Sequence, residues 1–151
     1  MTLIESLHQF FLTSPVLAGQ RLDIDCLQSD PDKFSLDSVP AERTLKQYMD
    51  GSTVRRQLFT ISSRASFGPD LTQQKENLRI FEELENWVDQ QIMSGVLPDL
   101  GECRKARSLR ISSTAYPMEA NEGKGGGTAR YQMQFELIYL QNIEYQEDLN
   151  K

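Results

Sequence analysis

The chain of 151 residues carries 16 Lys and Arg against 22 Asp and Glu, a formal net charge of −6, and 38% of its residues are hydrophobic. A chain of this length buries roughly two-thirds of its unfolded surface without a disulfide or metal staple, so a single domain over 1–151 is expected, and a charged content of 25% excludes disordered and fibrous classes. No apolar run approaches the roughly 18 to 20 residues of a membrane span, and Glu5 stands where a signal peptide would carry Lys or Arg. The expectation is a soluble intracellular protein with no membrane partner. Its two cysteines, Cys26 and Cys103, are then free thiols.

The first element reads as a short helix. Thr2 and Glu5 form a capping box, and Leu3, Ile4, Leu7 and Phe11 recur at helical spacing until Ser14-Pro15. Leu22, Ile24 and Cys26 alternate with Asp23 and Asp25, as in a strand with one wet face, and Ser29-Asp30-Pro31-Asp32 ends it. Phe34-Ser35-Leu36 predicts a short strand, with Val39-Pro40-Ala41-Glu42 as a connection. Thr44 to Met49, Asp50-Gly51 and Ser52 to Phe67 predict a long hairpin around an Asp-Gly turn, with a bulge near Arg55-Arg56 where the apolar parity changes.

After Gly68-Pro69, Asp70 and Gln73 mark a helix start. Leu78, Phe81, Leu84, Val88 and Ile92 form an apolar stripe that Ile80 and Trp87 widen, and Gly95 is the expected C-terminal cap. Leu109, Ile111, Ser113 and Ala115 then alternate, Pro117 to Gly127 form a loop, and Tyr131, Met133, Phe135, Leu137 and Tyr139 alternate again, a second long hairpin. The expected class is α+β: an antiparallel or mixed sheet with two long β-hairpins, packed by an N-terminal helix and one long central helix.

The residues exclude more chemistry than they suggest. Nucleophilic and acid–base catalysis near neutral pH usually needs histidine, and His8, on the first helix, is the only one. It reads as structural, and zinc, triad and dyad schemes lose their ligands or base. Lys124 precedes Gly125, Gly126 and Gly127 and a strand follows, the reverse of a phosphate-binding loop running into a helix. This stretch reads as a hairpin tip that orders on a partner. Asp23, Asp25, Asp30, Asp32 and Asp37 lack the spacing of a calcium loop. No cofactor or metal is expected. Arg104, Lys105, Arg107 and Arg110 form a cationic run without an acid, suited to an acidic copy or neighbour, and Arg55 and Arg56 would extend it if the hairpins adjoin. The acidic polar side of the long helix, with Glu82, Glu83, Glu85 and Asp89, would be repelled by anionic lipid.

Several stretches together resemble a family. They are Thr2-Leu3-Ile4-Glu5-Ser6-Leu7, Pro15-Val16-Leu17, Leu22-Asp23-Ile24-Asp25, and Gln57-Leu58-Phe59-Thr60-Ile61-Ser62-Ser63-Arg64. Phe81-Glu82-Glu83-Leu84-Glu85-Asn86-Trp87, Gly95-Val96-Leu97-Pro98 and Ala129-Arg130-Tyr131-Gln132-Met133-Gln134 continue it. In order and flavour the chain resembles the small tail-terminator or tail-completion proteins of tailed bacteriophages and prophages, often grouped with minor capsid proteins. The resemblance implies a non-enzymatic subunit of a homo-oligomeric ring, commonly a hexamer, at the head-proximal end of the virion tail, assembled in the host cytoplasm. Such a ring would end growth of the tail tube, or of tube and sheath in a contractile tail, and offer a surface to head completion or connector proteins. DNA would be passing cargo, and a lumen lined by acids would repel it weakly, given the −6 on each copy. The expected contact residues are Asp50-Gly51, Arg104, Lys105, Arg107, Arg110 and the tip Lys124, Gly125, Gly126 and Gly127. Another head–tail joining or minor tail component of similar fold is the alternative, ahead of a small-molecule-binding domain or enzyme.

Overall fold

The computed structural model describes residues 2–17, 22–24, 34–67, 71–121 and 127–142, with side chains described except at 64–67, 71–77, 115–121 and 127–130. Helix α1 spans Leu3–Leu12 and begins with the expected capping box. The Thr2 hydroxyl accepts from the Glu5 amide at 3.2 Å and the Glu5 carboxylate accepts from the Thr2 amide at 3.0 Å, satisfying two amides that a helix start leaves without partners. Its apolar face buries Leu7 and Phe11.

Six described strands form one mixed sheet. They are β1 (Leu22–Ile24), β2 (Phe34–Val39), β3 (Thr44–Gln47), β4 (Thr53–Phe67), β5 (Arg104–Asn121) and β6 (Gly127–Gln141). The order is β1-β2-β4-β6-β5, with β3 paired to one end of β4. Only β1 and β2 run parallel; the other pairs are antiparallel. The two hairpins adjoin through a continuous β4–β6 ladder from Thr53↔Gln141 to Phe67↔Gly127. The fold is therefore α+β, with α1 and the long helix α2 (Leu71–Met93) added to this sheet.

Register explains which face is buried. Phe59 pairs with Phe135, Ile61 with Met133, Leu36 with Ile61, and Leu109 with Leu137, so one parity of β2, β4, β5 and β6 carries the core, while β3 is exposed throughout. Leu7 and Phe11 of α1, and Phe81, Leu84 and Val88 of α2, join these residues in one buried cluster. Both helices thus lie on the same face of the sheet. At its centre the Phe59 and Phe135 rings stack at 5.0 Å and 8°, with Phe11 edge-on to them at 5.8 and 5.3 Å and Trp87 beyond it.

Several expectations shift by small amounts. The apolar stripe of α2 is buried only at Phe81, Leu84 and Val88: Leu78 is 44% exposed and Ile92 36%. The helix ends at Met93 in a Schellman motif, in which Val96 donates to the Gln91 carbonyl and Gly95 to that of Ile92, with Gly95 at φ +74°. Strand β2 continues to Val39, which pairs with Leu58, rather than stopping at Leu36. The first hairpin turns through Met49, Asp50 and Gly51: Gly51 donates to the Tyr48 carbonyl, and Tyr48 donates to that of Ser52. This is the three-residue loop with a glycine at positive φ, here +94°, one residue longer than the Asp-Gly turn expected. The irregularity near Arg55-Arg56 falls on the partner strand, between Thr44 and Lys46, leaving β4 itself regular. In β1, Leu22 is buried but Ile24 is more than a third exposed at the open edge, and Cys26 lies outside the described residues.

Candidate functional site

The second face of the sheet, on which neither described helix packs, is set by the opposite parity. Across β2, β4, β6 and β5 the register gives the row Val39, Leu58, Glu136, Arg110, and above it Asp37, Thr60, Gln134, Ser113. The hydroxyl and amide residues at this end include the buried Thr60, Ser62 and Gln132. Toward the other end lie Val54, Ile138 and Leu140.

Glu136 is the electrostatic centre of this face. Its carboxylate sits 3.1 Å from the Arg56 Nε and 3.1 Å from an Arg110 terminal nitrogen, with its own side chain 12% exposed, that of Arg56 33% and that of Arg110 67%. The Arg56 contact is an ion pair without hydrogen-bond alignment, since Arg56 Nε has no hydrogen-bonded acceptor. A largely buried carboxylate between two arginines keeps its charge compensated on both sides. The hairpins therefore join the cationic patch as anticipated, but through Arg56: the side chain of Arg55 turns to Thr53, donating from Nε to the hydroxyl at 2.9 Å. Residue-type reasoning missed Glu136. Its signal was a single carboxylate on the non-core parity of a strand otherwise read as apolar and amide-rich.

The cationic run occupies the start of β5, an outer strand of the sheet. Arg104 is half-buried, its Nε donating to the Gln141 side-chain oxygen at 3.2 Å. Lys105, Arg107 and Arg110 are exposed. Arg107 stands where the β5–β6 register shifts, between Ala106 and Ser108. Further shifts follow between Ile111 and Ser113, Ser113 and Tyr116, and Pro117 and Glu119, so the outer side of β5 is not a smooth template for another strand.

The remaining expected contact residues are dispersed. Asp50 is exposed and Gly51 half-buried at the far tip of the first hairpin, beside the fully exposed Met49. The Asp50 carboxylate accepts from the Ser52 hydroxyl at 2.6 Å and its amide at 2.9 Å. These two bonds to the charged form hold its pKa below the usual range. Its role in the described residues is to lock the turn. Lys124, Gly125 and Gly126 lie outside the described residues, and Gly127 opens β6 opposite Phe67. The structure thus gathers Arg110 with Arg56 and Glu136, and does not bring Asp50-Gly51 to that cluster, which sits several ladder steps away.

His8 is half-buried and its Nε2 lies 2.7 Å from the Leu22 carbonyl oxygen, a contact that ties α1 to β1. Among the described residues no group of three or more His, Cys, Asp or Glu is placed to hold a metal, and no helix is long and apolar enough to cross a membrane. A concave pocket of about 410 Å³ opens between α1 and the segment entering β5, lined by Ser6, Gln9, Asp99, Glu102, Cys103 and Arg104 among others. It is within the size range of small-ligand pockets. Asp99, however, accepts the Gly101 amide at 3.1 Å, and Arg104 donates to Gln141 of β6, so two of its charged groups are engaged within the fold. On the exposed side of α2, Glu85 has its pKa raised by burial first, then by Asp89 and Glu82.

Comparison with known proteins adds little to this geometry. No family model matches the chain, and no curated protein matches it. Among solved structures, one chain that carries only a sequence identifier for a name aligns over 88% of this chain and 88% of its own, at 9% identity and a TM-score of 0.44. A likeness at that level carries no argument about function.

Proposed function

We propose that this chain is a structural subunit of a phage or prophage tail, forming a ring at the head-proximal end of the tail tube that ends tube growth and receives the head. The observation that supports this most is the one-sided sheet. Both described helices pack on one face, while the other presents a charged and partly apolar surface, and a long β5–β6 hairpin flanks it. A subunit of a ring needs distinct surfaces for its neighbour on each side and for the layers above and below. An α+β domain with a sheet face on which neither described helix packs, sheet edges of different sequence and a hairpin arm supplies that number of surfaces from one core. The sequence resemblance, which runs through α1, β4, α2 and β6, supports the same reading, and it is what directs the proposal to a tail terminator rather than to ring proteins in general.

The experiment is deletion of this gene from a phage or lysogen that carries it, followed by negative-stain microscopy of the particles. Overlong tails without heads support termination. Free filled heads beside tails of normal length indicate a head–tail joining role, the second member of the same class. Infectious particles of normal shape refute the proposal.

A further inference from the structure

The strand order β1-β2-β4-β6-β5 ends in β1 and β5, each paired on one side only among the described strands, as is the short β3 beside β4. The charges at the two ends are opposite. The segment 104–110 carries four cations and no acid, whereas 23–37 carries five aspartates and one lysine. Of those aspartates, Asp23 on β1 and Asp37 on β2 are described, and both fall on the helix-free parity: Asp23 pairs with Ser35, which pairs with Ser62, and Asp37 pairs with Thr60. On the opposite edge Lys105 and Arg110 share that same parity, facing Leu140 and Glu136 in register. Along the ladder the row that ends in Arg110 lies two residues, about 7 Å, from the row of Asp37, and Lys105, level with Val54, lies six residues from it, so the two patches are offset along the strands.

We infer that the two edges form a head-to-tail contact between copies of this chain, the cationic start of β5 on one copy meeting the Asp23 and Asp37 edge of the next. This rests on the ring reading and names its interface. A contact of unlike patches on one chain is heterologous, and it propagates from copy to copy until rotation closes it. Opposite charges at opposite ends also set its direction, since cation edge against cation edge and acid edge against acid edge repel. The register shifts along β5 argue for side-chain pairing rather than a continuous backbone ladder across the junction. Lys105 and Arg107 are exposed and, among the described residues, without an ion pair, so they are the cations available to a neighbour. Arg110 is partly committed to Glu136.

The test is sedimentation of the wild-type chain, alone and with tail-tube protein, against the double variant Lys105→Glu/Arg107→Glu. Arg110 is left intact because reversing it would disturb Glu136. The double reversal is expected to weaken self-association at least about tenfold, with unchanged circular dichroism and thermal midpoint. Adding Asp23→Lys to the same chain is expected to recover part of the loss. Raising salt from 0.1 to 1 M, which shortens the screening length from about 10 to 3 Å, is expected to dissociate the wild type. Carbodiimide coupling of the wild-type assembly, which condenses a carboxylate with an amine, is expected to join Lys105 to an acid of the Asp23 edge between copies. A wild type that assembles, with a double variant that assembles as well, overturns this interface and leaves the ring reading standing. A wild type that stays monomeric in every condition overturns both.

Discussion

Replacing Glu136 with Gln removes one charge from between two arginines while keeping the side chain's size. Arg110 is 67% exposed, so its pair with Glu136 is screened and contributes roughly 0.2 to 1 kcal/mol. Arg56 is only 33% exposed and contacts Glu136 at 3.1 Å, and its charge would lose the carboxylate that compensates it. A partly buried charge left without its partner costs about 1 to 2 kcal/mol, below the value for full burial. Together the Glu136→Gln variant should lose about 1.2 to 3 kcal/mol, read from urea unfolding followed by circular dichroism. Double-mutant cycles divide the sum. Arg56→Ala with Glu136→Gln should show the larger coupling, and Arg110→Ala with Glu136→Gln a smaller one that fades at high salt. A loss below about 0.5 kcal/mol, within the range of an ordinary surface substitution, would refute the reasoning that this carboxylate braces the β4–β6–β5 face.

Phe135→Ala removes the stacked partner of Phe59 and the edge contact of Phe11, and should cost about 3 to 5 kcal/mol; a urea midpoint within error of wild type would contradict the assigned core. Gly95→Ala meets no atom within 4 Å of the added Cβ, so its whole cost is the left-handed backbone at φ +74°, about 1 to 2 kcal/mol by the same unfolding measurement. Glu85→Gln should stabilise the chain at neutral pH. The folded pKa of Glu85 is raised by burial and by Asp89 and Glu82, so its charged form weighs against folding above that pKa. The gain should shrink as pH falls through the raised pKa and vanish below the unfolded one, where the wild-type carboxyl is protonated in both states; a gain independent of pH would show another cause.

Local signals carried the elements that local chemistry controls. The Thr2–Glu5 capping box and the Gly95 cap each require a particular side chain or backbone conformation within a few residues, and both are where the sequence places them. The alternation from Tyr131 to Tyr139 likewise survives, because its strand is central and one face is packed by helices. What eluded the sequence depends on neighbours distant in the chain. Leu78 and Ile92 keep helical spacing with the core residues, yet both stay more than a third exposed in the folded chain. The parallel pairing of β1 with β2 leaves no local mark. Glu136 acquires its importance only when Arg56 and Arg110, 80 and 26 positions away in the chain, arrive on either side of it through the register of two ladders.

The central claim, that this chain acts as a ring-forming subunit of a tail, is tested most directly by native mass spectrometry of the purified chain with and without tail-tube protein. The account predicts a discrete closed assembly, six copies being the number that the family resemblance implies, whose mass does not grow further with concentration. A mass corresponding to the 17.3 kDa monomer in both samples, at concentrations where tube protein itself polymerises, would contradict it.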